Sequence, residues 1–330
     1  MKNLVNPEGT IDFGIYKEPV ETINYKEYRL ETPMGLGIPG FAKRFKFNQF
    51  HFFGLIGPDV MVGMAVVDLK YLTNGFFYIY DRKTGDLFET KKLAPPGKNI
   101  NISLLPEKPD SYFKSRSLTI ELEGNRIFAK GKKISLEVEI KPPVAEPLRI
   151  CTRAGYRGWV FTRKASPLEV SGEVNLNGRK IEISSPSYLG LTDWTGGYMR
   201  RYTFWNWAST AHTLEDGRRF GMNLSCGVNE TSFTENAFWV DHQMTKIDSV
   251  KFVFDIKDSD SKWHITSNDG KIDLVFSPES QRGEKVYAIA IASRFIQFMG
   301  TFDGKITTDS GEIIMLNQCP GWTEDHYAKW

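Results

Sequence analysis

Short runs rich in Val, Ile, Phe and Tyr recur along this chain, and many are closed off by a two-residue turn signal. Asn74-Gly75, Asn177-Gly178, Asp216-Gly217, Asp269-Gly270 and Asp303-Gly304 are residue pairs that accept positive φ in a tight hairpin turn. Segments 117–122 with 126–129, 168–175 with 180–183, and 271–276 alternate apolar and polar residues, the period of a half-buried strand. Segments 61–67 and 288–292 are continuously apolar, as strands covered on both faces are. Helical periodicity is scarce. The one helix start is near the C-terminus, where Thr323 precedes Glu324 and Asp325 in cap and first-turn positions. The chain therefore reads as all-β, built from hairpins.

Prolines at 92–96, 106–109 and 142–147 mark loops, because proline cannot donate to a sheet ladder. The crossing between two halves is placed near 142–163, dividing the chain into residues 1–155 and 156–330. Each half then has enough strands, roughly eight to ten, for a small barrel or bent sheet. No short-period repeat points to a propeller or solenoid.

The charge balance is close to even, 42 Lys and Arg against 40 Asp and Glu, which leaves no electrostatic footprint for nucleic acid. No segment approaches the roughly 20 apolar residues of a membrane-spanning helix, and the N-terminal stretch lacks a signal-peptide core. A soluble, cytoplasmic protein is expected. Cys151, Cys226 and Cys319 are far apart and without CxxC spacing, which favours buried reduced thiols. The five histidines show no ligand-pair spacing, so no metal is expected. No P-loop, dinucleotide fingerprint or nucleophile elbow occurs, so no cofactor is expected either.

The densest concentration of chemistry-bearing residues is 191–227, which begins LTDWTGGYMRRYTFWNWAS. Read as a strand, residues 200–209 put Arg201, Thr203, Trp205, Trp207 and Ser209 on one face and Arg200, Tyr202, Phe204, Asn206 and Ala208 on the other. Both faces mix large rings with groups that need hydrogen bonds when buried. Such a strand suits the wall of an aromatic-lined cavity, and it equally suits a Trp-rich packing seam. Trp194, Tyr198 and Trp239 extend the aromatic set.

Three residues are candidates for acid–base work. Asp193 beside Trp194 is either a general acid in a partly dry pocket or the cap of the Thr195-Gly196 turn. Asp241 and His242 form an acid–base pair only if the tertiary structure aims them together, since adjacent strand residues point to opposite faces. Glu324 and His326 either reach the mouth of the site or anchor the tail. Arg200 and Arg201 need carboxylate or ring partners if buried, with Asp193 or Asp241 the first choices.

The segments FGLIGPDVMVGMAVVDLKYLTNGFFYIYD (53–81), WVFTRKASPLEVSGEVNLNGRK (159–180), DWTGGYMRRYTFWNWAS (193–209) and PGWTEDHYAKW (320–330) resemble the bacterial family known as domain of unknown function 2804. That family is in turn remotely similar to the two-domain lipocalin-like proteins of the AttH and carotenoid hydratase group. The second similarity rests on residues 171–227. The resemblance implies two lipocalin-like β-barrels or half-barrels side by side, and a hydrophobic small molecule, lipid-like or isoprenoid-like, as partner. Where the hydratase group has an Asp-His-x-Trp-Gly turn, this chain has Asp193-Trp194-Thr195-Gly196-Gly197, without the histidine.

Three functions stay open at this level. An enzyme would place a carboxylate against rings inside the cavity. A carrier would keep its polar groups at the mouth, and a carbohydrate-binding sandwich would expose Trp205 and Trp207 on its surface.

Overall fold

The computed structural model describes residues 2–228, 233–287 and 291–329. Segment 288–292, expected to be a strand covered on both faces, lies partly outside them. Strand is the dominant structure of the described residues; one short α-helix, Gly40–Lys46, and a single 3-10 turn, Tyr25–Glu27, are their helical segments. Among the described residues no helix is long and apolar enough to cross a membrane.

The strands form two large antiparallel sheets. The first runs, from edge to edge, through Leu87–Ala94, Thr73–Asp81, Val60–Asp68, Asn48–Ile56, Arg179–Gly197, Gly158–Leu176, Ile134–Ile140, Arg126–Lys130, Thr119–Glu123, Ser111–Lys114 and Ile100–Ile102. The second runs through Gln243–Lys246, Ala237–Val240, Arg219–Cys226, Tyr202–Thr213, Ile313–Lys329, Ala292–Thr307, Ile272–Tyr287, Trp263–Ser267 and Val250–Val253. Both sheets curl into half-barrels that lie side by side. The chain passes from the first to the second between Gly197 and Tyr202. Position 155/156 falls instead in the turn joining Leu148–Ala154 to Gly158–Leu176, two paired strands of the first sheet. Prolines mark where ladders stop, and a strand can resume in the same sheet beyond them.

Side-chain alternation explains how two cores and a seam arise from the same strands. In Val60–Asp68, Val60, Val62, Met64 and Val66 enter the core inside the first sheet, while Met61 and Ala65 turn toward the second. That is why 61–67 is apolar at every position. Phe53 and Leu55 likewise face inward, and Phe52 and Ile56 face the seam. The seam closes with Trp207, Ala211, Met299 and Trp322 from the second sheet. Phe52 meets Trp207 and Trp322 edge-on at 5.9 and 6.1 Å, contacts worth about 0.5–1.5 kcal/mol each beyond their buried area.

Two of the five turn dipeptides are not turns. Asn74-Gly75 lies inside the strand Thr73–Asp81, and a Cβ on Gly75 would sit 2.6 Å from the Phe113 ring, so glycine is there for close approach. Asp303-Gly304 lies within Ala292–Thr307, opposite a register shift whose extra residue falls on Ile313–Lys329, and Gly304 has φ 131°. The others are turns; Asn177-Gly178 has φ of 52° and 91° and joins the two longest strands of the first sheet. The expected C-terminal helix is also a strand, Ile313–Lys329. Ladders on both sides, to Tyr202–Thr213 and Ala292–Thr307, override the local cap signal of Thr323, which is itself fully buried.

Cys151 and Cys319 are buried free thiols, and Cys226 is half-buried. Burial raises the Cys151 thiol and pushes Cys319 up to about 12, so both are inert at neutral pH.

Candidate functional site

A cavity of about 260 Å³ lies beside the seam, walled by both sheets. The odd-numbered face of the strand Tyr202–Thr213 forms part of it through Thr203, Trp205 and Trp207. The even face does other work: Tyr202 and Phe204 are exposed, and Ala208 enters the core of the second sheet. Phe50, Phe52, Ala65, Val67 and Phe76 supply the apolar wall on the first sheet, and Phe295 faces them from the second. Half-buried Leu72, Met199 and Val228, with exposed Leu93, mark where the cavity meets solvent.

Two polar stations interrupt this apolar lining. The first is centred on Lys164, which stands directly opposite Asp193 in the ladder between Gly158–Leu176 and Arg179–Gly197. Its ammonium pairs with Asp193 Oδ2 and, at 3.4 Å, with Glu235 Oε2, which the second sheet's chain brings across the seam. Thr162 and Thr195 hydroxyls donate to Asp193 Oδ1 at 3.1 and 2.9 Å, and the Ser225 hydroxyl donates to Glu235 Oε1 at 3.0 Å. Burial alone would lower the lysine; the two carboxylates outweigh it and hold the ammonium above its ordinary value. The neighbouring Arg163 points to the opposite face and pairs with Glu107, as strand alternation requires.

The second station is built on the C-terminal strand. Glu324 is buried, accepts from Trp205 Nε1 at 2.8 Å and from Gln297 Nε2 at 3.1 Å, and lies 3.6 Å from His326 Nδ1. The imidazole lies against Trp205 (ring centroids 4.1 Å apart) and close to Phe295, and its Nε2 meets Ser293 Oγ at 3.0 Å. Gln297 is itself fixed by Tyr78, whose hydroxyl donates to Gln297 Oε1 at 2.7 Å, and by Arg282. The Arg282 guanidinium lies over the rings of Phe76, Tyr78 and Phe295 at 4.3–4.9 Å and pairs with Glu89 across the seam. Alternation sends Asp325 to the other face, where it accepts from Asn206 and Arg294.

The residues singled out in the sequence divide accordingly. Asp193, Trp205, Trp207, Glu324 and His326 come together at the cavity. Asp193 lies within a strand, not at a turn. Its cation is Lys164, not Arg200 or Arg201; Arg200 is half-buried and Arg201 exposed at the sheet crossing. Asp241 and His242 form the tight turn between Ala237–Val240 and Gln243–Lys246, away from the cavity. Asp241 has φ 48° and accepts the Arg219 N–H at 2.9 Å, and His242 is exposed. Trp194 and Tyr198 belong to the core of the first sheet, donating to the Ser103 and Tyr25 carbonyls at 3.2 and 2.9 Å. Trp239 is buried in a separate small cluster and donates to the Glu146 carbonyl at 3.0 Å. Asn206 and Tyr202 face away from the cavity. Lys164, Glu235, Arg282 and Gln297 were missed. A lysine three residues beyond the apolar Trp159-Val160-Phe161, on the same strand, was the available signal, since a cation buried there must find a carboxylate.

Two curled sheets of this kind, with a mixed apolar and charged cavity between them, define a lipocalin-like two-domain protein. The chain belongs to the family described as domain of unknown function (DUF2804), whose model matches residues 1–330. No curated protein matches it. Among solved structures it is similar to a putative AttH from Nitrosomonas europaea, at 16% identity and TM-score 0.51 over 90% of this chain and 96% of that one. It is also similar to kievitone hydratase from Nectria haematococca (10% identity, TM-score 0.46, 85% and 88% covered) and to CghA (8%, 0.47, 99% and 96%). At these identities the likeness concerns the fold.

Proposed function

We propose that this protein binds a hydrophobic small molecule, lipid-like or isoprenoid-like, between its two sheets and performs acid–base chemistry on it there. The observation that carries this reading is the placement of buried Glu324 and half-buried His326 against Trp205 in the wall of the largely apolar cavity. A carrier needs polar groups only at its mouth, whereas here a carboxylate and an imidazole line the interior wall.

The roles follow from the geometry. His326, steadied by Ser293 and the Trp205 ring, exchanges a proton with the apolar substrate, and Glu324 beside Nδ1 orients the imidazole. Lys164 spends two of its three N–H donors on Asp193 and Glu235 and keeps one for an oxygen of the ligand. Asp193 is the anchor of that ammonium. Such a set suits protonation or deprotonation at carbon, as in a hydration, isomerisation or cyclisation. The burial of Trp207 and its hydrogen bond to Asn223 argue against an exposed sugar-stacking platform.

The test is His326→Asn and Glu324→Gln, assayed for ligand affinity and product formation together. Affinity within about tenfold of wild type with turnover down at least about 100-fold is the expected result. Unchanged turnover in both variants would refute the assignment.

A further inference from the structure

The segment before the first long strand presents an apolar, cationic surface that the fold itself does not use. Met34 and Leu36 are 87% and 69% exposed at the tip of a tight loop, which is closed by the bridge between Glu31 and Gly37 and by the Thr32 N–H donating to the Leu36 carbonyl. The helix Gly40–Lys46 follows at once. Phe41 and Phe45, four residues apart and so on one face, are 75% and 53% exposed. None of its residues is buried, an unusual state for a helix carrying two phenylalanines.

The charges carried by residues 34–46 themselves are of one sign. Lys43, Arg44 and Lys46 lie in the same helix, and no acidic residue occurs between Glu31 and Asp59. Glu31 is already paired with Arg157 at 3.3 Å, and Lys43 is tied to the Tyr28 carbonyl at 2.7 Å. Arg44 and Lys46 are exposed. Two copies of this face brought together would oppose cation to cation.

The surface also borders the cavity mouth. Phe47, directly after the helix, lies under the Lys70 ammonium at 5.6 Å. Lys70 sits in the turn between Leu69 and Leu72, both of which line the cavity. Burial, and then the proximity of Arg44 and Lys26, hold that ammonium below its ordinary value against the opposing pull of Asp68.

We infer that residues 34–46 dock this protein on an anionic lipid bilayer, with Met34, Leu36, Phe41 and Phe45 entering the interface and Arg44 and Lys46 meeting the lipid headgroups. Apolar side chains flanked by cations are the makeup of an interfacial anchor. The orientation turns half-buried Leu72, at the cavity mouth, toward the membrane surface, so an apolar ligand reaches the cavity without crossing water. The docking itself does not depend on the acid–base reading.

The experiment is vesicle flotation of the full chain, with phosphatidylcholine vesicles and with vesicles containing about a third phosphatidylglycerol. Wild type is expected to float with the anionic vesicles, less so as salt shortens the screening length from about 10 Å at 0.1 M to about 3 Å at 1 M. Phe41→Ser/Phe45→Ser and Arg44→Glu/Lys46→Glu should each lower partitioning at least about tenfold while melting like wild type, since all four side chains are exposed. Wild type that stays with the soluble fraction overturns the inference, as does binding indifferent to both substitutions or to salt. Concentration-dependent dimerisation abolished by the same variants would assign the face to a second copy and overturn it too.

Discussion

Replacing Lys164 by Met should be among the most damaging single substitutions in this protein. The ammonium bridges two carboxylates whose side chains are only 11% and 13% exposed, and it is 5% exposed itself. At 3.4 Å and an effective dielectric of about 20, the attraction to Glu235 is worth about 5 kcal/mol before the cost of desolvation, and that to the closer Asp193 is at least as large. The net cost of removing one partner from a buried pair is about 3–5 kcal/mol, because the charge left behind has nothing to meet. Asp193 and Glu235 would then also repel each other. Adding Asp193→Asn and Glu235→Gln to Lys164→Met removes both stranded charges and should recover at least about 2 kcal/mol of that loss. The assay is urea unfolding at pH 7 for wild type, the single variant and the triple variant. Lys164→Met within about 1 kcal/mol of wild type, or a triple variant no more stable than the single one, would refute the reasoning.

Other consequences are as direct. His51 is fully buried, bonded to Ser111 through Nδ1, and burial lowers it to about 3. Its folded value lies below its unfolded value, so its contribution is complete above about pH 6.5 and is lost toward pH 3; between pH 6 and 4 it should account for about 1.4 kcal/mol per pH unit, measurable as a shallower pH slope of unfolding in His51→Gln. Trp207→Ala empties a seam position against Phe52 and should cost about 3–5 kcal/mol; a melting point unchanged from wild type would show that the seam is not a core. Asp241→Asn should leave ligand affinity and turnover within about twofold, since the residue serves a turn; a 100-fold loss of turnover would return it to the site.

What could be read from the sequence was set by local rules. Alternation and turn chemistry are local, so the all-β class, the hairpin at Asn177-Gly178 and the doubly covered strand 61–67 were all legible. The aromatic strand also announced itself as a mixture of rings and polar groups, and its odd face does line the cavity. Long-range pairing was not legible. Thr323 to Asp325 satisfy a helix start taken alone, but two ladders claim them. Asp193 was assigned an arginine seven or eight residues on, whereas its cation comes from Lys164 on the adjoining strand, 29 positions away. Asp241 and His242 look like an acid–base pair, yet in a two-residue turn the aspartate serves the backbone. The cationic face at 34–46 disappeared into an even charge balance, because exposure depends on how the rest of the chain folds around it.

The central claim is that the space between the sheets holds a hydrophobic small molecule. Native mass spectrometry of the gently purified protein, beside an Ala65→Trp variant that fills the cavity wall, tests it most directly. The account predicts a bound apolar molecule on wild type, released on denaturation and missing from Ala65→Trp. A wild-type protein that carries no such molecule and takes up none from lipid or isoprenoid mixtures, or a variant that retains it equally, would contradict the account.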